Sequence, residues 1–319
     1  MTWDHPHDAR NLAAHCSRYA LPEDAFSEVE PLTSGNAHVV STASLRGHKG
    51  KIILKRWHGS SVSDSERRLF TERLINDLDR WRALERHPNI LPVLGVALHI
   101  SNLPALVVPC YPTAKEVLKK DVDRLVDVLP LLQDVASGLS FLHSSSPTIA
   151  HGDIKASTIL LRPRTNVKSH KPQYSALLSD IGIASIPQPP DWTFHGVDDA
   201  RWLAPEIMDP SLRPRSQSDV KYRCNDSDPI GTLSVTPESD VYSLGMLSYE
   251  MYSRSPPFSS TVWSAAVVMS VVGGKRPSRP EALTSDAIWM LIECCWKQTW
   301  WERPDIKTVS AWLDILGVA

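Results

Sequence analysis

The sequence predicts an α+β protein of two lobes: a small β-rich first lobe with one main helix, and a larger, mostly α-helical second lobe. Three observations predict it. Between residues 31 and 108, short apolar runs separated by turn residues flank one helical stretch. After Pro112, apolar residues recur at three- and four-residue steps instead. A chain of 319 residues can also bury a full core with room for two lobes.

Residues 1–26 are polar and read as an N-terminal extension or short helix, leaving 27–112 for the first lobe and 113–319 for the second. From Pro31 to Trp57 the pattern is strand-like: Val39-Val40, a turn at Arg46-Gly47-His48-Lys49-Gly50, then Lys51 to Lys55. Residues 65–86 read as a helix carrying Leu69, Leu74, Leu78, Trp81 and Leu84 among many charges, stopped by His87-Pro88-Asn89. Strands are expected from Ile90 to Leu98 and from Leu103 to Val108. One long amphipathic helix follows on Leu125, Val128, Leu132, Val135, Leu139 and Leu142. Later helices are expected from near Asp240, over Ala287 to Trp296, and over Ile306 to Leu316. Arg162 to Tyr174 and the Ser-, Asp-, Pro- and Arg-rich stretch 208–235 read as exposed loops, the latter an insertion.

Composition narrows the function. Apolar residues make up 42% and charged residues 22%, as in an ordinary globular chain. A formal charge of −2 carries no electrostatic footprint for nucleic acid. The five cysteines lack metal-ligand spacing or a disulfide framework, which favours a reducing compartment. No stretch approaches the ~18 apolar residues of a membrane span, and the start lacks the apolar centre of a secretory signal. The expected setting is the cytoplasm or nucleus.

Two aspartates carry the chemistry. Asp153 stands in His151-Gly152-Asp153-Ile154-Lys155 and Asp180 in Leu178-Ser179-Asp180-Ile181-Gly182. Between them, Ile159-Leu160-Leu161 and Ala176-Leu177-Leu178 read as a short β-hairpin. Such a hairpin can hold one carboxylate to accept a hydroxyl proton and another to take a hard metal cation carried by a polyphosphate.

This spacing resembles the catalytic loop and Asp-Phe-Gly motif of protein kinases, and further matches extend from about residue 27 to the C-terminus. The resemblance implies a two-lobed kinase fold that uses ATP and Mg²⁺, with ATP between the lobes. It makes Asp153 the catalytic base, and Lys155 the lysine that neutralises the transferring phosphoryl group. Asp180 becomes the magnesium ligand and Lys55 the strand lysine that pairs the α- and β-phosphates. Val39 and Ile53 would lie above the adenine, with Val108-Pro109-Cys110 as the hinge. Ala204-Pro205-Glu206 resembles the motif closing the activation segment, with Arg303 as the ion-pair partner of Glu206. Asp240 matches the helix-start aspartate that anchors the catalytic loop. Lys155 resembles the serine/threonine rather than the tyrosine type, and the phrases His87 to Pro92, Asp153 to Leu161 and Trp202 to Glu206 are most similar to the tyrosine-kinase-like group of serine/threonine kinases.

The pattern also breaks. Thr158 stands where the family has an Asn for a second magnesium, so it is the candidate for that ligand position. Aligned on Val39, the glycine-rich loop offers Leu32, Ser34 and Ala37, with Gly35 nearby. Ile53 is bulkier than the usual Ala, and Asp77 falls where the family pairs a Glu with the strand lysine. Asp199 occupies the place of a Thr, where its carboxylate is expected to repel Asp153. Gly152 replaces an arginine that reads activation-loop phosphate. Two readings follow: a serine/threonine kinase acting on a protein substrate, or a pseudokinase serving as a scaffold for a signalling partner.

Overall fold

The computed structural model describes residues 17–34, 38–57, 63–84, 87–100, 103–164, 171–181, 197–212 and 235–318. Gly35, Ala37 and Gly182 lie outside them. The chain divides into two compact units. The described residues of the first fall within Met1–Arg86 and Leu91–Cys110, and those of the second within His87–Ile90, Tyr111–Ser185 and His195–Ala319.

In the first unit, β1 (Phe26–Ser34), β2 (His38–Leu45), β3 (Lys51–Trp57), β4 (Gly95–Ala97) and β5 (Ala105–Pro109) form one antiparallel sheet. Its strand order is β1-β2-β3-β5-β4. The turn between β2 and β3 puts Gly47 and Gly50 at φ +83° and +92°, a region that glycine enters without steric cost. Alternation along β3 sends Ile52 and Leu54 into a core with Ala43, Ala97, Ala105 and Val107. Helix α1 (Asp64–Leu84) buries Phe70, Leu74, Ile75, Leu78, Trp81 and Leu84, and the Trp57 ring meets Phe70 edge-on at 5.1 Å.

Of the apolar residues that the sequence marks in this helix, Leu69 is exposed and Phe70 takes the inward place. Only Gly95–Ala97 of the expected strand from Ile90 forms. Ile90 belongs to the second unit, where it bridges to Leu178, and Pro92 has no amide to give a sheet.

The second unit is helical around one hairpin. Helix α2 (Ala114–Lys120) opens on a capping box in which the Glu116 amide donates to the Thr113 hydroxyl and the Thr113 amide to the Glu116 carboxylate. Helix α3 (Leu129–His143) starts four residues later than the apolar pattern suggested. Asp121 takes the Leu125 and Val126 amides, Asp127 takes that of Leu129, and Pro130 opens the first turn. The hairpin β6 (Ile159–Pro163) and β7 (Tyr174–Leu178) pairs Ile159 with Leu178, as the sequence indicated. Asn89 ties the preceding segment to it, donating to the Ala176 carbonyl and accepting from the Leu178 amide.

Helices α4 (Pro205–Met208), α5 (Pro237–Ser253), α6 (Ser264–Val272), α7 (Asp286–Cys295) and α8 (Ile306–Val318) complete the unit. Tyr242 and Met246 of α5 sit at the centre of a core with Ala204, Val267, Val271, Ile292 and Trp296. No helix among the described residues is long and apolar enough to cross a membrane.

Candidate active site

The second unit builds its site on a loop between α3 and β6. Thr236 and Ser239 cap α5, so that Asp240 stands in its first turn, almost fully buried. Its carboxylate accepts the amides of His151 at 2.7 Å and Gly152 at 2.9 Å, and His143 Nε2 lies 2.8 Å from it. Gly152 sits at φ +83°, so the position favours glycine over the arginine that the family resemblance implies. His151 is fully buried and accepts the Asp153 amide on Nδ1, which leaves its proton on Nε2. Burial drives its pKa below the ordinary value, against the pull of Asp240 and Asp153, and keeps the ring neutral. Asp153 is thereby held through its own amide by the His151 ring.

Lys155 Nζ lies 2.8 Å from Asp153 Oδ1 and 2.8 Å from Asp199 Oδ1. Burial alone would depress this ammonium, but the two carboxylates outweigh it and raise its pKa. The sequence reading expected Asp199 to repel Asp153. Instead a shared cation bridges the two carboxylates, which removes much of that repulsion.

Thr158, expected as a metal ligand, braces the loop. Its hydroxyl reaches the Asp153 carbonyl at 2.5 Å and the Lys155 carbonyl at 3.0 Å, and takes the Lys155 amide at 3.3 Å. That single oxygen is committed to backbone, and the side chain is buried. Ser179 closes the far side by donating to the Thr158 carbonyl. Asp180 follows with φ +61°, an uncommon conformation for a non-glycine residue and one that clusters at functional sites. It offers a carboxylate, the donor type a hard divalent cation takes.

Two fixtures hold the rest of the site. Arg303 makes a fork-to-fork pair with Glu206 at 2.6 and 2.8 Å, both side chains buried, and also donates to the carbonyls of Lys297 and Glu238. Glu250 of α5 accepts the Ala156 amide and the Trp202 indole N–H, both at 2.9 Å, tying the loop that carries Asp153 to the segment before Glu206. Burial pushes its pKa up to about 7, against those hydrogen bonds and the pull of Lys115 and Lys155. Sequence reasoning missed Glu250. Its signal was a carboxylate set among the apolar and small residues of α5, well beyond the first turn that holds Glu238 and Asp240.

In the first unit, Lys55 and Ile53 share one sheet face. The register sets Val40 opposite Lys55 and Thr42 opposite Ile53, while β5 sets Leu106 and Val108 opposite the same two residues. Val39 pairs with Arg56 and points to the other face, so Val40 takes the place expected of Val39. Counted back from Val40, Gly35 falls on the middle glycine of the expected loop motif. The Cys110 amide donates to the Lys51 carbonyl at 3.0 Å and is therefore engaged within the sheet. Asp77 lies in α1, but its side chain is outside the described residues.

A family model for the protein kinase domain matches residues 26–312. The chain is similar to the serine/threonine-protein kinase CTR1 of Arabidopsis thaliana, at 27% identity over 290 residues covering 85% of this chain and 30% of that protein. It is also similar to the receptor-interacting serine/threonine-protein kinase 2 of Bos taurus, at 25% over 313 residues, 89% of this chain and 50% of that one. A third relative is the probable serine/threonine-protein kinase pats1 of Dictyostelium discoideum, at 25% over 282 residues, 83% of this chain and 8% of that one. The chain thus spans half or less of the length of these relatives. Matched over nearly its whole length, it belongs to the protein kinase domain family.

Proposed function

We propose that the chain is a protein serine/threonine kinase that transfers the γ-phosphoryl group of ATP, with Mg²⁺, to hydroxyls of a protein substrate. The observation that carries this reading is the Asp153–Lys155 pair on a loop pinned by Asp240. Asp153 takes the proton of the acceptor hydroxyl, and Lys155 offsets charge on the transferring group. Lys55 supplies the matching cation for the α- and β-phosphates, with Val40, Ile53 and Val108 lining the face that meets the base. Asp180 would hold Mg²⁺, which when bound neutralises phosphate charge. Magnesium relies on one or two carboxylates plus the phosphates themselves, so a single such ligand fits.

A thermal-shift titration of the whole chain with ATP, with and without Mg²⁺, tests the first step. Stabilisation that requires Mg²⁺ is expected, because a ligand that binds only the folded state raises its melting temperature. A melting temperature indifferent to Mg²⁺·ATP counts against the reading.

A pseudokinase that scaffolds a signalling partner is the second reading. It is favoured by the commitment of Thr158 to backbone and by the hold of Asp199 on Lys155. Thr158→Asn separates the two. The amide supplies an oxygen for a second metal and can still brace the loop, so turnover should rise. One well-placed electrostatic group is worth about 10²- to 10³-fold elsewhere, and partial restoration falls within that range. Thr158→Ala loses the bracing bonds and should lower both turnover and melting temperature. Equal activity in all three versions would make the second metal irrelevant.

A further inference from the structure

Asp199 stands on a turn that cannot easily give way. The single 3₁₀ turn Val197–Arg201 is fixed by Arg201, which donates to the carbonyls of Pro257, Phe258 and Thr261. The Trp202 amide closes back on the Asp199 carbonyl at 3.1 Å. From this anchored position the carboxylate reaches Lys155 Nζ at the same 2.8 Å as Asp153 does. All three side chains are largely shielded: 13% exposed for Lys155, 23% for Asp153 and 18% for Asp199. Solvent therefore screens their interaction only in part.

The charge balance decides the consequence. Asp153 and Lys155 alone sum to zero, and Asp199 makes the trio net negative. A phosphoryl group entering here brings more negative charge and draws its stabilisation from the Lys155 ammonium. It must then compete with a carboxylate already at hydrogen-bond distance on a fixed turn.

We propose that Asp199 is a restraining residue that withholds Lys155 from the phosphoryl group and sets a low ceiling on turnover. This rests on the reading of Asp153 and Lys155 as the phosphotransfer pair. The restraint itself is a claim about Lys155 and can be measured without turnover. Asp199→Asn keeps the size of the side chain and removes its charge, and Asp199→Thr shortens it to a hydroxyl. Asp199→Glu restores the charge.

The first arm follows the rate at which an acyl-phosphate probe modifies Lys155 in the whole chain at mildly alkaline pH, read by peptide mass spectrometry. Asp199→Asn and Asp199→Thr should speed modification several-fold, because losing one carboxylate lowers the lysine pKa and frees the amine. Asp199→Glu should remain slow. Unchanged rates in Asp199→Asn and Asp199→Thr overturn the restraint. The second arm measures transfer from γ-labelled Mg²⁺·ATP to a degenerate Ser/Thr peptide library. A rise in kcat of about 10-fold or more, a part of the roughly 10²- to 10³-fold that a single well-placed electrostatic group commands, with KM for ATP little changed, supports the ceiling. Faster labelling with equal kcat in all versions overturns the ceiling while leaving the contact intact. Faster labelling with no transfer in any version overturns the kinase reading instead.

Discussion

Asp153→Asn is expected to lower phosphotransfer by about 10²- to 10⁴-fold, the range that a positioned general base contributes. The loss should fall on kcat, because the carboxylate acts on the acceptor hydroxyl and not on the nucleotide. The fold should tolerate the change. The amide that places residue 153 is donated to His151 Nδ1, and the loop backbone is held by Asp240, so neither bond uses the altered group. An asparagine oxygen can still accept from Lys155. Stabilisation by Mg²⁺·ATP should therefore match wild type. A mutant with wild-type turnover would remove Asp153 from the base role.

Breaking the buried pair of Arg303 and Glu206 should cost the most stability. Arg303 and Glu206 are both buried, and Arg303 also satisfies the Lys297 and Glu238 carbonyls and lies 5.0 Å over the Tyr242 ring. Arg303→Ala strands the Glu206 carboxylate in a dry core. Loss of one partner of such a pair typically costs about 3–5 kcal/mol, and orphaned carbonyls add to it. Chemical denaturation should show that loss. The double variant Glu206→Met with Arg303→Met should recover a large part of it, because no charge is then left uncompensated. A double variant no more stable than Arg303→Ala would show that the guanidinium's bonds to carbonyls dominate, rather than the ion pair.

Much of this was legible in the residues. The hairpin flanked by Asp153 and Asp180, the turn at Gly47 and Gly50, and the helices that carry Asp240 and Ile306 follow from local pattern. What failed did so for identifiable reasons. The register of β2 against β3 is a tertiary property, and a slip of one residue exchanges Val39 for Val40. Leu69 and Phe70 are adjacent, so helical periodicity with an uncertain phase cannot choose between them. The capping box of Thr113 and Glu116 was readable, but α2 buries only Ala114 and Leu118 and has little apolar pattern. Helix α6, rich in valine, gives a composition equally suited to a strand. The sharing of Lys155 between two carboxylates joins residues 44 apart in sequence, and no local signal records it.

Phosphate transfer by the loop around Asp153 is directly measurable. Incubation of the wild-type chain with γ-labelled Mg²⁺·ATP and the Ser/Thr peptide library, with Asp153→Asn alongside, tests it most directly. Acid-stable label on Ser or Thr that depends on Mg²⁺ and falls to background in the mutant is the expected result. Binding of Mg²⁺·ATP with no label above that background, in wild type and in Asp199→Asn alike, would contradict it.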